Sequence, residues 1–242
     1  MRRERVSDDI YVYISDLYAQ VTASIIRTDD GVVVIDSLPF PRESYQLYRF
    51  ARELHPRGVR YLILSHSHAD HSNGAYLFRG AHVIGHLRCR DLLQKHGAEQ
   101  LARAKIQTPE LAEVEICLPT VLLEETLTLR LGGKSFDLTH SPGHSPDLIT
   151  VHVQEEKTLF ASDTMMPIPY IVGGSPAELI ASLQDINKLT LENIVQGHGD
   201  VLLRGETEEA IERNIHYLEA IQEWVERGLR RGWSPQQIAK AE

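Results

Sequence analysis

Ser65-His66-Ser67-His68-Ala69-Asp70-His71 follows the apolar run Tyr61 to Leu64 and packs four potential metal ligands into six residues. In an extended segment alternate side chains face the same way, so His66 and His68 can share one ion. Asp70 and His71 lie a turn further on, so the four residues suit two neighbouring ions better than one. Zinc accepts imidazole nitrogen and carboxylate oxygen, and a catalytic zinc keeps one position open for water. A dinuclear centre then needs three more ligands.

Three further residues sit where such ligands are expected. Phe136 to Thr139 leads to Gly143-His144, Leu159 to Ala161 leads to Asp163, and Ile194-Val195 leads to Gly197-His198-Gly199. Each candidate follows a short β-like run, and loops after the ends of several strands converge on one rim. Pro142-Gly143, Gly197 and Gly199 are expected to permit sharp turns there.

Around these residues the chain alternates between strand and helix patterns. Ile10 to Ser15, Val21 to Thr28 and Val32 to Ser37 read as strands, the last two joined by a hairpin at Asp29-Asp30-Gly31. A helix is expected over 41–55, with Tyr45, Tyr48, Ala51 and Arg52 marking its period and Pro56 stopping it. Helices are also expected over 71–79, 87–104 and 176–190, and a second hairpin at Gly132-Gly133. Strands recur at 148–153, 158–161 and 193–195. The segment 105–125 reads as irregular, a candidate wall or cover for a pocket. Ile211, Ile215, Leu218 and Val225 share one face of a tail helix, and Ser234-Pro235-Gln236-Gln237 resembles a capping box opening a last short helix. Periodicity alone specifies an α/β or α+β fold. Residues 1–242 read as one domain, with 206–242 as a helical tail expected to pack on its own core.

Composition narrows the chemistry. With 42% hydrophobic and 24% charged residues the chain is ordinary globular material. A net charge of −9 disfavours an electrostatic grip on nucleic acid, which needs a basic surface. Cys89 and Cys117 form no C-x-x-C pair and are expected to be packing residues. No apolar run approaches a membrane span, so a cytoplasmic protein acting on a small molecule is expected. No phosphate loop, G-x-S-x-G elbow or G-x-G-x-x-G fingerprint occurs. The remaining histidines, His55, His82, His86, His96, His140, His152 and His216, read as structural or solvent-facing.

His66-x-His68-x-Asp70-His71, Ser141-Pro142-Gly143-His144, Ser162-Asp163-Thr164 and Gly197-His198-Gly199 together resemble the ordered motif set of the metallo-β-lactamase-fold superfamily. The resemblance extends over roughly residues 10 to 205. It implies a four-layer αββα sandwich with the site at one edge and short C-terminal helices. It gives His66, His68 and His144 to a first metal, Asp70, His71 and His198 to a second, and Asp163 to both as a bridge. Asp36 matches the family's first motif, an acidic residue that supports the site.

Two such ions can share a water and lower its pKa to about 7. The resemblance therefore implies a metal-bridging hydroxide attacking an ester, thioester or lactone, as in the hydroxyacylglutathione hydrolase and lactonase branch. Asp70 would also hold or relay a proton for the leaving group, and Tyr170 would point a phenol at the substrate oxygen. Zinc is the expected ion, although histidine and aspartate also suit iron or manganese. His68 argues against the family's di-iron reductases, which carry a glutamate there, and Asp163 argues against true β-lactamases, which lack it. Two alternatives share these motifs: a phosphodiesterase or nuclease, and a persulfide dioxygenase with a single iron on His66, His144 and Asp163. Substrate choice is expected to lie in loops 87–125 and 165–175.

Overall fold

The structure, a computed structural model, describes residues 1–240. In the first sheet every strand pairs with the next in the chain: β1 (Arg2–Arg5), β2 (Ile10–Ile14), β3 (Thr22–Thr28), β4 (Gly31–Ile35), β5 (Val59–Ile63), β6 (His82–His86) and β7 (Val121–Leu123). The first four strands are antiparallel and the rest run parallel to β4. Parallel neighbours need crossovers. These are α1 (Pro41–Glu53), then α2 (Ala69–Ser72) with a 3₁₀ turn over Asn73–Phe78, then α3 (Leu87–Leu92) and α4 (Ala98–Gln107) joined by a π-turn.

The second sheet runs β8 (Thr126–Leu131), β9 (Lys134–His140), β10 (Ile149–Val153), β11 (Thr158–Ser162), β12 (Asn193–Gln196), β13 (Val201–Leu203). Only β11 and β12 are parallel, linked by α5 (Pro176–Ile186). The chain continues through α6 (Thr207–Arg230) and α7 (Pro235–Ile238).

Alternation along the strands sorts side chains into layers. Val33 and Ile35 of β4 meet Phe136, Leu138 and Val151 between the sheets. Val32 and Val34 face the opposite way, onto Leu47 and Ala51 of α1. Behind the second sheet, Leu159 and Ile194 pack on Leu179 and Leu183 of α5 and on Ile211 and Leu218 of α6. The result is the αββα sandwich, with α6 packed on the second sheet through Ile211, Ile215 and Leu218, whereas Val225, expected on the same face, is exposed.

Several local expectations are corrected. The inward face of α1 carries Ser44, Leu47 and Ala51, whereas Tyr45 is exposed, because the axis is rotated from the face its aromatics suggest. The helix over 71–79 is one α-turn followed by the 3₁₀ turn, and that over 176–190 stops at Ile186. β1 was unread because an edge strand carries charges that deter further pairing, here Arg2, Arg3, Glu4 and Arg5. The segment 105–125 is not a pocket wall: Leu111 and Val114 make a small cluster with Leu101, and 121–123 complete the first sheet. Both hairpins form, with positive φ at Gly132 and Gly133, and Ser234 and Gln237 make the reciprocal capping box. Cys89 and Cys117 are free thiols. Among the described residues no helix is long and apolar enough to cross a membrane.

Candidate functional site

The ends of β4, β5, β9, β11 and β12 reach the same edge of the sandwich, and the seven candidate ligands lie just beyond the last four of them, Asp70 and His71 on α2 and the other five in loops. The edge is also where the sheets are tied together: Thr22 N–H donates to Gly197 O at 2.9 Å, and Ile149 N–H to Ser65 O at 2.8 Å. Four non-glycine residues near these loops, Ala19, Gln20, Asp36 and Ser162, adopt positive φ. Such conformations persist only where surrounding structure holds them, and they concentrate at functional sites.

His66, His68, His144 and Asp163 bring ligand atoms within 4.8 Å of one another, and so do Asp70, His71 and His198. Asp163 faces both groups. Its Oδ2 lies 3.2 Å from His144 Nε2 and 3.8 Å from His66 Nε2, while Oδ1 lies 3.2 Å from His71 Nε2 and 3.6 Å from His198 Nε2. Asp70 Oδ2 sits 3.4 Å from His198 Nε2.

Hydrogen bonds on the far side of each ring fix which nitrogen faces inward. His71 Nδ1–H donates to Asp36 Oδ2 (2.9 Å), His144 Nδ1–H to Tyr170 O (2.6 Å) and His198 Nδ1–H to Ala19 O (2.8 Å). Ser65 Oγ–H is committed to Asp36 Oδ2 at 2.7 Å, so the 3.0 Å contact to His66 Nδ1 has the imidazole donating. All four rings therefore turn Nε2 toward the carboxylate oxygens of Asp163. His68 Nδ1 lies 2.9 and 3.0 Å from His66 Nε2 and His144 Nε2, and a single proton there cannot serve both. His71 Nε2 and Asp163 Oδ1 are buried without hydrogen-bond partners. Imidazole nitrogens and carboxylate oxygens that converge in this way are the chemistry of a cation site, and the residues fit divalent ions.

Electrostatics agree. Burial alone opposes charge on His71, yet Asp163, Asp70 and Asp36 outweigh it and hold its pKa well above the usual value. For His198 burial is likewise outweighed, by Asp163 and Asp70, and its pKa rises to about 9. His66 goes the other way, well down, through burial and then the neighbouring His71. The three carboxylates thus favour positive charge at this edge, which imidazolium protons supply in the ion-free chain and a divalent cation would supply in their place.

Local sequence explains the placement. Gly143 has φ +137°, and a Cβ on it would fall 2.3 Å from Leu179 backbone. Gly199 also has positive φ. Gly197 is there for a different reason than the expected turn: its φ is ordinary, but a Cβ would meet Asp163 Oδ1 at 1.8 Å.

Over the site lies a pocket of about 540 Å³ whose walls are the turn at Tyr18-Ala19 and the segment Met166 to Val172. The same two segments supply the carbonyls that hold His198 and His144. A neighbouring cavity runs from His68 to His96, Gln100 and Asp147. His96 is thus closer to the site than a solvent-facing reading allows. Of the loops expected to govern substrate, residues 166–172 border the pocket, 92–100 border only the side cavity, and none of 105–125 borders either. Tyr18 and Ala19 carried no motif signal. A separate cavity of about 500 Å³ on the outer face of the second sheet touches none of the seven residues.

The family model for the metallo-beta-lactamase superfamily matches residues 18–206. The chain belongs to the metallo-β-lactamase superfamily. Among curated superfamily relatives, human acyl-coenzyme A thioesterase MBLAC2 is 28% identical over 159 residues, which is 58% of this chain and 57% of that protein. The putative transcription factor avaE of Aspergillus versicolor is 30% identical over 142 residues, 53% of this chain and 40% of that one. The chain thus matches about half the length of these relatives. Two solved structures share the fold at 15% identity: a metallo-beta-lactamase from Pontibacter korlensis (TM-score 0.74, covering 90% of this chain and 98% of that one) and the sec-alkylsulfatase Pisa1 from Pseudomonas sp. (0.80, covering 99% and 45%). Superfamily membership supports the expectation of a metal-dependent hydrolase.

Proposed function

We propose that this superfamily member hydrolyses an acyl ester, thioester or lactone, using two divalent ions, zinc by preference, held by the seven side chains. The observation that carries this reading is the two-sided placement of Asp163, one oxygen toward each cluster. His66, His68 and His144 would hold one ion, Asp70, His71 and His198 the other, and Asp163 both. Bound there, the ions supply Lewis acidity and lower the pKa of a water. The chain's own contribution is positional: Asp36, Ala19 O and Tyr170 O fix three ring orientations, as outer partners of ligating histidines do. Asp70, partly open to the pocket, can take a proton from the nucleophile and hand it to the departing thiol or alcohol.

Acyl substrates are favoured over phosphodiesters by the walls. Met166, Pro167, Ile168, Tyr170 and Val172 are apolar or aromatic, and no lysine or arginine is among the described lining residues. The human relative is named as an acyl-coenzyme A thioesterase, an activity of the same acyl class. A phosphodiester would want cations there.

Metal analysis of protein purified without chelator is expected to find about two equivalents per chain, and chelation to abolish thioester cleavage. Returning metal at about 1,000 times its Kd should raise stability by about 4 kcal/mol per site, read as a higher melting temperature. A chelated protein that kept full esterase activity would sink the proposal, and one equivalent of iron with oxygen consumption would replace it by persulfide oxidation.

Tyr170 is 67% exposed at the pocket mouth, and it is its carbonyl that holds His144. Tyr170→Phe should therefore preserve metal content while lowering kcat on the order of tenfold, the loss of one transition-state hydrogen bond. A fall of less than twofold removes the phenol from the chemistry.

A further inference from the structure

One face of α6 is apolar without being covered. Tyr217, Ile221 and Val225 recur every fourth residue and remain 42%, 46% and 38% exposed, and the buried Leu218 forms the floor beside them. Opposite them runs the segment Pro169, Tyr170 and Ile171, and the two enclose a groove of about 310 Å³. Tyr170 borders both this groove and the pocket over the candidate metal centre. The groove therefore opens beside the site rather than on a remote surface.

We infer that the groove binds the aliphatic acyl chain of the substrate, a reading that rests on the acyl-hydrolase function proposed above. Its walls supply apolar contact from Tyr217 to Val225 of α6, eight rises of 1.5 Å or about 12 Å, the length of an extended chain of about ten carbons. Among the described lining residues Glu226 is the one charged side chain and none is a cation that would pair with a distal carboxylate, so an uncharged alkyl tail fits and a dicarboxylic one does not. The other cavity leaving the metal pocket, beyond His68, offers His96, Gln100 and the buried Asp147, whose Oδ1 has no hydrogen-bond partner. Amide or hydroxyl donors of a leaving group suit that side, which leaves the apolar end of the substrate to the groove. A second copy of the chain is the competing occupant, but a flat subunit contact does not account for a groove that shares Tyr170 with the metal pocket.

Isothermal titration of the metal-loaded protein with S-alkyl thioethers of N-acetylcysteamine, from S-butyl to S-decyl, tests the inference without cleavage. Kd should fall by up to roughly fourfold per methylene, the worth of a buried CH₂. Ile221→Lys and Ile221→Trp should each cut the decyl-over-butyl preference at least tenfold, and Ile106→Lys, on exposed α4 surface, should keep it. No binding, a Kd independent of chain length, or a series unaltered by both Ile221 variants would overturn the groove. So would a dimer that Ile221→Lys splits into monomers. The thioethers are inert, so the binding series judges the groove even if the metal and turnover assays reject the hydrolase.

Discussion

Asp163→Asn is expected to lower turnover on the order of 10³-fold and to cut bound metal from about two equivalents to about one, a loss of about 4 kcal/mol of transition-state stabilisation. The substitution keeps the shape of the side chain and replaces one carboxylate oxygen by an amide nitrogen. Whichever way the amide settles, one cluster then faces N–H hydrogens in place of an anionic oxygen: either His71 and His198, 3.2 and 3.6 Å from Oδ1, or His144, 3.2 Å from Oδ2. An amide nitrogen has no lone pair to offer a metal, so that cluster keeps only its own ligands. Folding should survive, because Asp163 packs against Gly197 by close approach and asparagine occupies the same volume. Metal analysis and thioester turnover on the purified variant decide the matter. A variant with two equivalents and less than a tenfold loss would show that Asp163 does not join the sites.

The seven residues could be read from the chain because their types and local spacing carry the chemistry. Four fall within the six residues from His66 to His71, and the rest each follow a β-like run, so strand ends converging on one edge bring them together. The supporting layer was harder to see. Asp36 stood out only through a family motif, and Ser65, which accepts from His66 and Ser162 and donates to Asp36, had no signal beyond adjacency. Ala19 O and Tyr170 O hold two histidines through backbone carbonyls, and any residue type has one of those. The pocket wall at Tyr18-Ala19 lies far from the motifs in sequence and reaches them only because β3 follows that turn and Thr22 is tied to Gly197.

The fold shows the same division. β4 was legible from its unbroken run Val32-Val33-Val34-Ile35, buried on both faces. β1, β7 and β13 are edge or near-edge strands of three or four residues, too short and too polar or exposed to produce a period. Gly197 illustrates how a right residue can be assigned a wrong reason: glycine beside a ligand suggests a turn, whereas the constraint here is the space taken by Asp163.

Asp36→Ala is the substitution with the largest expected cost to stability, about 3–5 kcal/mol. The carboxylate is buried and accepts three donors: Ser65 N–H at 2.8 Å, Ser65 Oγ–H at 2.7 Å and His71 Nδ1–H at 2.9 Å. Ser65 and His71 are 1% and 0% exposed, so water cannot replace the lost acceptor without opening the loop. Asp36 also sits at φ +60°, a conformation that aspartate and asparagine tolerate and alanine resists. For a chain of this size each kcal/mol moves the melting temperature by about 2–4 °C, so a fall on the order of 10 °C is expected. Asp36→Asn keeps the favourable backbone and one acceptor oxygen, so it should melt closer to the parent. It should nonetheless bind metal about 10–100-fold more weakly, because His71 loses the anion that orients its ring. Thermal melts and metal titrations of the pair separate the two roles. If Asp36→Ala melted within about 2 °C of the parent and kept its full metal content, Asp36 would not be the brace of this edge.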